Sequence, residues 1–73
     1  MSIKSEKRYF CDNLKAERIN AGLSQREFAK LVGTTQQRVS EWECGKIEPS
    51  LFSIIAILNV LNITFEELTE GLK

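Results

Sequence analysis

The sequence predicts an all-α domain of five helices, and three features of the sequence support this prediction. Apolar residues recur at three- and four-residue spacing, which places them on one face of a helix. No stretch alternates apolar and polar residues for long enough to form a strand. Serine, threonine, glycine and asparagine stand where these segments begin and end, as is typical of helix caps. A chain of 73 residues has room for one core, so we expect a single domain over residues 1–73.

The first predicted helix covers residues 6–21, with Ser5 as its N-cap and Gly22 at its end. An arginine interrupts its apolar face, which consists of Phe10, Leu14, Arg18 and Ala21. Burying a guanidinium group there is costly unless a carboxylate pairs with it. The available partner is Glu43, on the core-side flank of the third helix, and we predict a largely buried ion pair between Arg18 and Glu43.

The second helix is predicted over residues 25–32 and opens with a capping box of Ser24 and Glu27. Its inward face is expected to consist of Phe28, Leu31 and Val32. The third helix is predicted over residues 36–43, with Thr35 as its N-cap. Its apolar side, which should face the core, carries Val39 and Trp42. Polar residues cluster on the opposite side of this helix: Gln36, Gln37, Ser40 and Glu41.

The fourth helix is predicted over residues 51–61 and starts after Ser50. Its inward stripe is expected to consist of Leu51, Ile54, Leu58 and Leu61. The fifth helix is predicted over residues 65–71 and opens with a second capping box, formed by Thr64 and Glu67. Two of its residues are expected to return to the core: Phe65 and Leu68.

Composition argues against several classes of protein. Cys11 and Cys44 are too few for a disulfide framework and the chain lacks histidine, so we expect reduced thiols, a cytoplasmic location and no Cys/His zinc site. No glycine-rich phosphate loop or catalytic constellation is present, so we expect no enzyme activity and no cofactor. Basic and acidic residues number ten each, although residues 1–30 hold seven of the basic and four of the acidic ones. The longest apolar run, residues 51–63, is too short to span a bilayer.

A glycine-containing turn at residues 33–35 joins two short helices, as a helix-turn-helix motif requires. Around it, ten residues stand at positions that are characteristic of one family: Gly22, Leu23, Ser24, Gln25, Ala29, Gly33, Val39, Glu43, Gly45 and Pro49. Residues 14–50 closely resemble the Xre-type helix-turn-helix family of lambdoid phage repressor and Cro proteins, and a looser resemblance continues to residue 68. The resemblance implies a compact repressor-like domain that binds double-stranded DNA. It also implies the ion pair between Arg18 and Glu43.

The amide side chains at the start of the third helix suit direct reading of bases. A carboxamide offers both a donor and an acceptor, so glutamine can bind adenine N6 and N7 together. We therefore predict that Gln36 and Gln37 read bases in the major groove and that Arg38 and Lys46 bind phosphates. The resemblance implies that Gln25 meets a backbone phosphate, and Gln25 can also brace Gln36. The predicted DNA contacts are Gln25, Thr35, Gln36, Gln37, Arg38, Ser40, Glu41 and Lys46.

Three alternatives stay open at this point. Glu41 either accepts a hydrogen bond from cytosine N4 or faces solvent or a cation of its own chain. The fourth helix is apolar nearly all round, and its outward residues are Phe52, Ile55 and Val60. This outward apolar surface favours a homodimer on a pseudo-palindromic operator. In the monomeric alternative, Phe52 packs against the segment around Tyr9. The predicted function is that of a transcriptional regulator, acting as a repressor without a small-molecule ligand; the alternative is a protein-binding adaptor or antitoxin-like module.

Overall fold

The structure, a computed structural model, describes residues 6–70, with side chains described from Phe10 onward. Its five helices are α1 (Glu6–Asn20), α2 (Gln25–Val32), α3 (Gln36–Cys44), α4 (Leu51–Leu61) and α5 (Phe65–Leu68). The architecture is all-α, as predicted, and every helix starts at the predicted residue. None of the helices in this part of the chain is long and apolar enough to cross a membrane.

Side-chain caps explain why the helix starts could be predicted. Each of four residues accepts a hydrogen bond from the backbone N–H three positions later: Ser24, Thr35, Ser50 and Thr64. Such a bond satisfies one of the first N–H groups of a helix, which have no partner within the helix itself. The predicted N-cap of α1, Ser5, lies outside the described residues.

Three helix ends differ from the predicted ones. α1 ends at Asn20, and Ala21 is exposed in the following turn. The prediction that Ala21 belongs to the inward face of α1 was therefore wrong. α3 extends one residue further than predicted. α5 ends at Leu68, and its C-cap Thr69 donates both its N–H and its hydroxyl to the carbonyl of Phe65, at 2.9 and 2.7 Å. Its predicted end, residue 71, lies outside the described residues.

The core is a single cluster to which all five helices contribute. Its buried residues are Leu14, Phe28, Ala29, Val39, Trp42, Ile57, Leu61 and Leu68. α2 packs against α3 and α4, and α1 packs against α3 and α5. Burial of the two large aromatic side chains dominates the hydrophobic stabilisation, because each removes roughly 150–250 Å² from water. This packing holds α3 against the core along one side.

Three residues that were predicted to face the core are exposed: Leu31, Leu51 and Phe65. In α2, Ala29 is buried in place of Leu31, which lies roughly 100° around the helix from the middle of the buried face. In α4, the other predicted inward residues do pack in the core, since Leu61 is buried and Ile54 and Leu58 are partly buried. Because nearly every position of α4 is apolar, the sequence did not show that Ile57 would be buried and Leu51 exposed. α5 has only four residues and buries only Leu68.

The outward side of α4 differs in part from the prediction. Phe52 is 79% exposed and Ile55 is 46% exposed, so both offer apolar surface. Val60 is half-buried and packs against the core, so it offers less surface to a partner than the sequence predicted. The exposure of Phe52 contradicts the alternative in which it completes a monomeric core. The side chain of Tyr9, its predicted contact, lies outside the described residues.

One side chain that the sequence did not single out joins the C-terminal end of α5 to α1. The amide of Asn13 donates to the carbonyls of Leu68 at 3.0 Å and of Glu70 at 2.7 Å. The first carbonyl belongs to the last residue of α5 and the second lies two residues beyond it, where no further helical N–H is available. Asn13 therefore stabilises the short α5 against α1.

Acidification is expected to weaken the N-terminus of α2 through Glu27. Its carboxylate accepts the backbone N–H of Ser24 at 2.9 Å, and this bond, assisted by the Ser24 side chain, lowers the pKa of Glu27 from 4.5. Because the folded-state pKa is the lower one, the contribution to stability is present above about pH 4.5 and is lost as the pH falls through the folded-state pKa. Urea unfolding at several pH values should show a smaller acid-induced loss in Glu27→Gln, whereas Glu48→Gln, at an exposed site, should retain the parent's profile.

Candidate nucleic-acid interface

The turn between α2 and α3 gives α3 a defined start. The N–H groups of Gly33 and Thr34 both donate to the carbonyl of Ala29, at 2.9 and 2.8 Å. Gly33 has a φ of 90°, a left-handed conformation that glycine adopts without side-chain strain. Thr35 then accepts the N–H of Arg38 at 3.1 Å, and α3 begins at the next residue after this cap.

α3 has one buried side and one exposed side. Three of its residues are buried against the core: Val39, Trp42 and Glu43. Of the predicted DNA contacts, most are exposed: Thr35, Gln36, Gln37, Arg38, Ser40 and Lys46. The other two are half-buried: Gln25 and Glu41. One side of α3 therefore packs against the core, and two uncharged amides and a guanidinium are accessible at the N-terminal end of α3.

The ion pair expected between Arg18 and Glu43 is present and joins α1 to α3. Arg18 Nε donates to Glu43 Oε2 at 2.7 Å, and Nη2 donates to Oε1 at 3.1 Å. Arg18 Nη1 donates to the carbonyl of Leu23 at 2.7 Å. The side chains are only 9% and 4% exposed. Because such a two-point contact fixes distance and orientation together, it sets the position of α3 relative to α1.

Gln25 belongs to the same buried network. Its Nε2 donates to Glu43 Oε1 at 3.1 Å, so Gln25 is held by Glu43, whereas the sequence suggested a brace to Gln36. The amide oxygen of Gln25 and its second N–H form no other hydrogen bond to the residues described here. This long-range link was missed because nothing local in the sequence shows that a residue of α2 lies beside Glu43.

The turn after α3 carries a cation and packs closely on α1. Lys46 is exposed, and its backbone N–H donates to the carbonyl of Glu41 at 2.9 Å. Gly45 has a φ of 82°, and a Cβ added there would lie 3.3 Å from Cys11 Sγ, so both the backbone and the packing favour glycine. Within the described residues, neither Arg38 nor Lys46 forms an ion pair. Both cations are therefore free to meet an anion.

Glu41 and Cys44 lie further along α3. Glu41 is half-buried and forms no ion pair within residues 10–70, so the cation partner considered for it is not found among these residues. Cys44 is exposed, and its Sγ lies 3.6 Å from the carbonyl of Glu41. Groups of three or more metal-ligating side chains are likewise not found in the part of the chain that the structure describes. The polar chemistry of this face thus consists of amides, hydroxyls, a carboxylate and two cations.

A sequence profile of the helix-turn-helix family matches residues 14–68. The chain belongs to this family. Two curated relatives of the helix-turn-helix domain come from Bacillus subtilis (strain 168). The SPbeta prophage-derived HTH-type transcriptional regulator YonR is 34% identical over 62 residues, which cover 85% of this chain and 57% of that protein. The HTH-type transcriptional regulator YqaE is 32% identical over 62 residues, which cover 85% of this chain and 53% of that protein. The chain thus spans somewhat more than half the length of these relatives.

Solved structures share the fold of this helix-turn-helix domain. The restriction-modification controller protein C.AhdI from Aeromonas hydrophila superposes with a TM-score of 0.82 at 31% identity, covering 89% of this chain and 98% of that one. The clp gene regulator ClgR from Corynebacterium glutamicum superposes with a TM-score of 0.84 at 19% identity, covering 93% of this chain and 87% of that one. The second likeness concerns the fold alone. Both the resemblance seen in the sequence and the predicted fold class are confirmed, and a family of transcriptional regulators agrees with the expectation of a non-enzymatic domain.

Proposed function

We propose that the domain binds double-stranded DNA sequence-specifically and represses transcription, with α3 inserted in the major groove. The observation that carries the proposal is the accessible amide pair, Gln36 and Gln37, at the N-terminus of a helix whose opposite side is buried. An α-helix fits the major groove, where each base pair presents its own pattern of donors and acceptors. Uncharged amides discriminate among these patterns, whereas a lysine would bind any phosphate.

The surrounding residues divide the work of binding. Arg38, next to the amides, and Lys46, in the turn after α3, serve as phosphate contacts, and Gln25 offers its amide to the backbone from the start of α2. Thr35 and Ser40 are exposed on the same helix and supply hydroxyl groups. Because Gln25 is bonded to Glu43, its position depends on the buried ion pair. Membership in the helix-turn-helix family supports this assignment of a DNA partner.

We propose further that two copies bind a pseudo-palindromic operator. One copy presents one α3, which reads only a few base pairs, and the chain has no net charge to add general attraction to DNA. Apolar side chains on α4 supply a surface for the second copy: Leu51, Phe52 and Ile55. In a two-fold dimer the same patch meets itself, and the two reading helices fall about 34 Å apart, one turn of DNA.

A second candidate function uses the same apolar surface. Leu51 and Phe52 are 69% and 79% exposed, and exposed apolar patches are typical of protein–protein contacts. An adaptor or antitoxin-like module would bind a different protein there and make no use of Gln36. A gel shift of the chain against genomic fragments separates the candidates, since the adaptor should retard none of them.

The amide and the lysine are expected to behave differently when each is replaced by alanine. Gln36→Ala should cost about 1 to 3 kcal/mol at the cognate site and relax the preference at one base pair, because it removes a base contact. Lys46→Ala should weaken cognate and scrambled duplexes equally and reduce the slope of log K against log salt by about one. Fluorescence anisotropy across a salt series measures both quantities. Identical behaviour of the two variants on both duplexes would contradict these roles.

A further inference from the structure

α3 carries a carboxylate on the side that is turned away from the core. With about 100° per residue, Gln37, Glu41 and Cys44 lie within about 60° of one another, opposite the buried residues of this helix. Gln37 and Cys44 are exposed, whereas Glu41, one turn after Gln37, is half-buried. The side of α3 that is proposed to enter the major groove therefore has an acidic group near its middle.

The carboxylate of Glu41 has no partner among residues 10–70. It forms neither an ion pair nor a side-chain hydrogen bond with them. The backbone of Glu41 is fixed, since its carbonyl accepts the N–H groups of Lys46 at 2.9 Å and of Ile47 at 3.3 Å. A half-buried side chain on a fixed backbone has few orientations in which to turn away from an approaching molecule. A molecule that covers this side of α3 must therefore supply a hydrogen-bond donor or leave the carboxylate without one.

Among the four bases, cytosine supplies such a donor without an opposing group. An ionised carboxylate only accepts hydrogen bonds. In the major groove guanine presents two acceptors, thymine presents an acceptor and a methyl group, and adenine presents an acceptor beside its donor, whereas cytosine presents a donor alone. A carboxylate that faces an acceptor is repelled and loses its water without compensation. Cytosine is therefore the base whose edge satisfies Glu41.

The charges around α3 offer little attraction to DNA in general. Residues 36–48 include two basic and three acidic residues, and among the described residues only one of these acidic residues, Glu43, forms an ion pair. The negative charge of Glu41 is also repelled by the phosphates that border the groove. A duplex without the matching base therefore gains nothing that offsets the cost of covering this carboxylate.

We propose that Glu41 determines specificity by requiring cytosine at one position of the operator. Its carboxylate accepts a hydrogen bond from cytosine N4 at the cognate site and is repelled at other bases, so Glu41 acts mainly by weakening the binding of non-cognate DNA. The amides of Gln36 and Gln37 both donate and accept, whereas Glu41 only accepts and rejects bases that an amide would tolerate. This inference rests on the proposed function, since it assumes that α3 lies in the major groove.

The test compares two variants of Glu41 with a matched control. Glu41→Gln keeps the size of the side chain and removes its charge, and Glu41→Ala removes the polar group as well. Glu48→Gln is the control, because it makes the same change as Glu41→Gln at an exposed position outside α3. Thermal unfolding verifies that all variants fold like the parent.

Each protein first selects duplexes from a random library. Fluorescence anisotropy then measures the affinity of every protein for the parent's selected duplex, for the three duplexes that replace the selected cytosine, and for a scrambled duplex. A further duplex carries N4-methylcytosine at the same position, which keeps the base pair but places a methyl group where the free N–H of the amino group stood.

The parent is expected to bind each of the three replaced duplexes about tenfold more weakly than its selected duplex. Glu41→Gln should relax this preference and Glu41→Ala should lose it, and both should bind the scrambled duplex more tightly than the parent does. Glu48→Gln should keep the preference for cytosine. N4-methylcytosine should weaken the parent about as much as a wrong base and should change the affinity of Glu41→Ala much less.

Three outcomes would overturn the proposal and leave the proposed function standing. These are a Glu41→Ala variant that keeps the parent's preference, an equal effect of N4-methylcytosine on the parent and on Glu41→Ala, and a parent that selects a duplex at which no cytosine depends on Glu41. A parent that selects no duplex contradicts the proposed function itself.

Discussion

Replacing Glu43 with glutamine is expected to lower the free energy of unfolding by about 3 kcal/mol. The substitution keeps the size of the side chain but removes the charge that faces Arg18, whose side chain is 9% exposed. Two hydrogen bonds to the carboxylate, at 2.7 and 3.1 Å, then meet a neutral amide with one acceptor oxygen. The guanidinium is left buried without a counter-charge, which is the costly outcome for a buried pair. For a domain of this size the loss is a large part of the total stability.

Urea unfolding, followed through the fluorescence of Trp42, measures this loss directly. Trp42 is the single tryptophan of the chain and is buried on α3, next to Glu43 in sequence. Glu48→Gln is the matched control: it makes the same chemical change at an exposed position and should alter stability by less than about 0.5 kcal/mol. A Glu43→Gln domain as stable as the parent at neutral pH would contradict a stabilising role for the ion pair. Replacing both partners by apolar residues should recover much of the loss, since no unpaired charge then remains.

The ion pair also links the stability of the fold to the predicted DNA contacts. Glu43 holds Arg18 from α1 and Gln25 from the start of α2, so one carboxylate joins three helices. A change at Glu43 that leaves the domain folded should therefore weaken the phosphate contact proposed for Gln25. Glu43 therefore contributes both to the stability of the fold and to the position of a proposed DNA contact, although Glu43 itself is buried and touches no DNA in the proposal.

Local signals explain why the helix starts were predicted correctly. A capping residue acts on N–H groups within three positions of itself, so the serine or threonine before α2, α3, α4 and α5 is readable without any tertiary information. The ion pair between Arg18 and Glu43 was also predictable, because an arginine within an apolar stripe must find a carboxylate. In both cases the sequence contains the physical requirement itself.

The remaining features depend on how the helices pack. α4 is apolar at most positions, so its spacing alone could not show that Ile57 would be buried and Leu51 exposed. The bond from Gln25 to Glu43 joins residues that are 18 positions apart. A groove lined in part by Arg26 and Lys30 exists only once α2 and α3 lie side by side. Tertiary contacts of this kind leave no periodic or local trace in a single sequence.

Introducing a charge at Ile55 is expected to convert the proposed dimer into a monomer. Ile55 is 46% exposed on α4, close in sequence to Leu51 and Phe52, which are 69% and 79% exposed. In a two-fold dimer a residue near the axis meets its own copy, so Ile55→Glu would bring two carboxylates together in an apolar contact. Desolvation and mutual repulsion both oppose that arrangement.

Sedimentation equilibrium at tens of micromolar, with and without operator DNA, tests this expectation. The parent should be a dimer and Ile55→Glu a monomer, whereas Ala16→Glu, which adds the same charge at an exposed position of α1, away from the apolar patch of α4, should stay dimeric. Because the substitution lies outside α3, the monomer should keep its affinity for a single half-site and lose the gain from two half-sites one turn apart. A parent that sediments as a monomer both free and on DNA would contradict the dimer. A dimeric Ile55→Glu would instead place the interface elsewhere on the domain, because a buried pair of like charges at the two-fold contact costs more than a small apolar interface supplies.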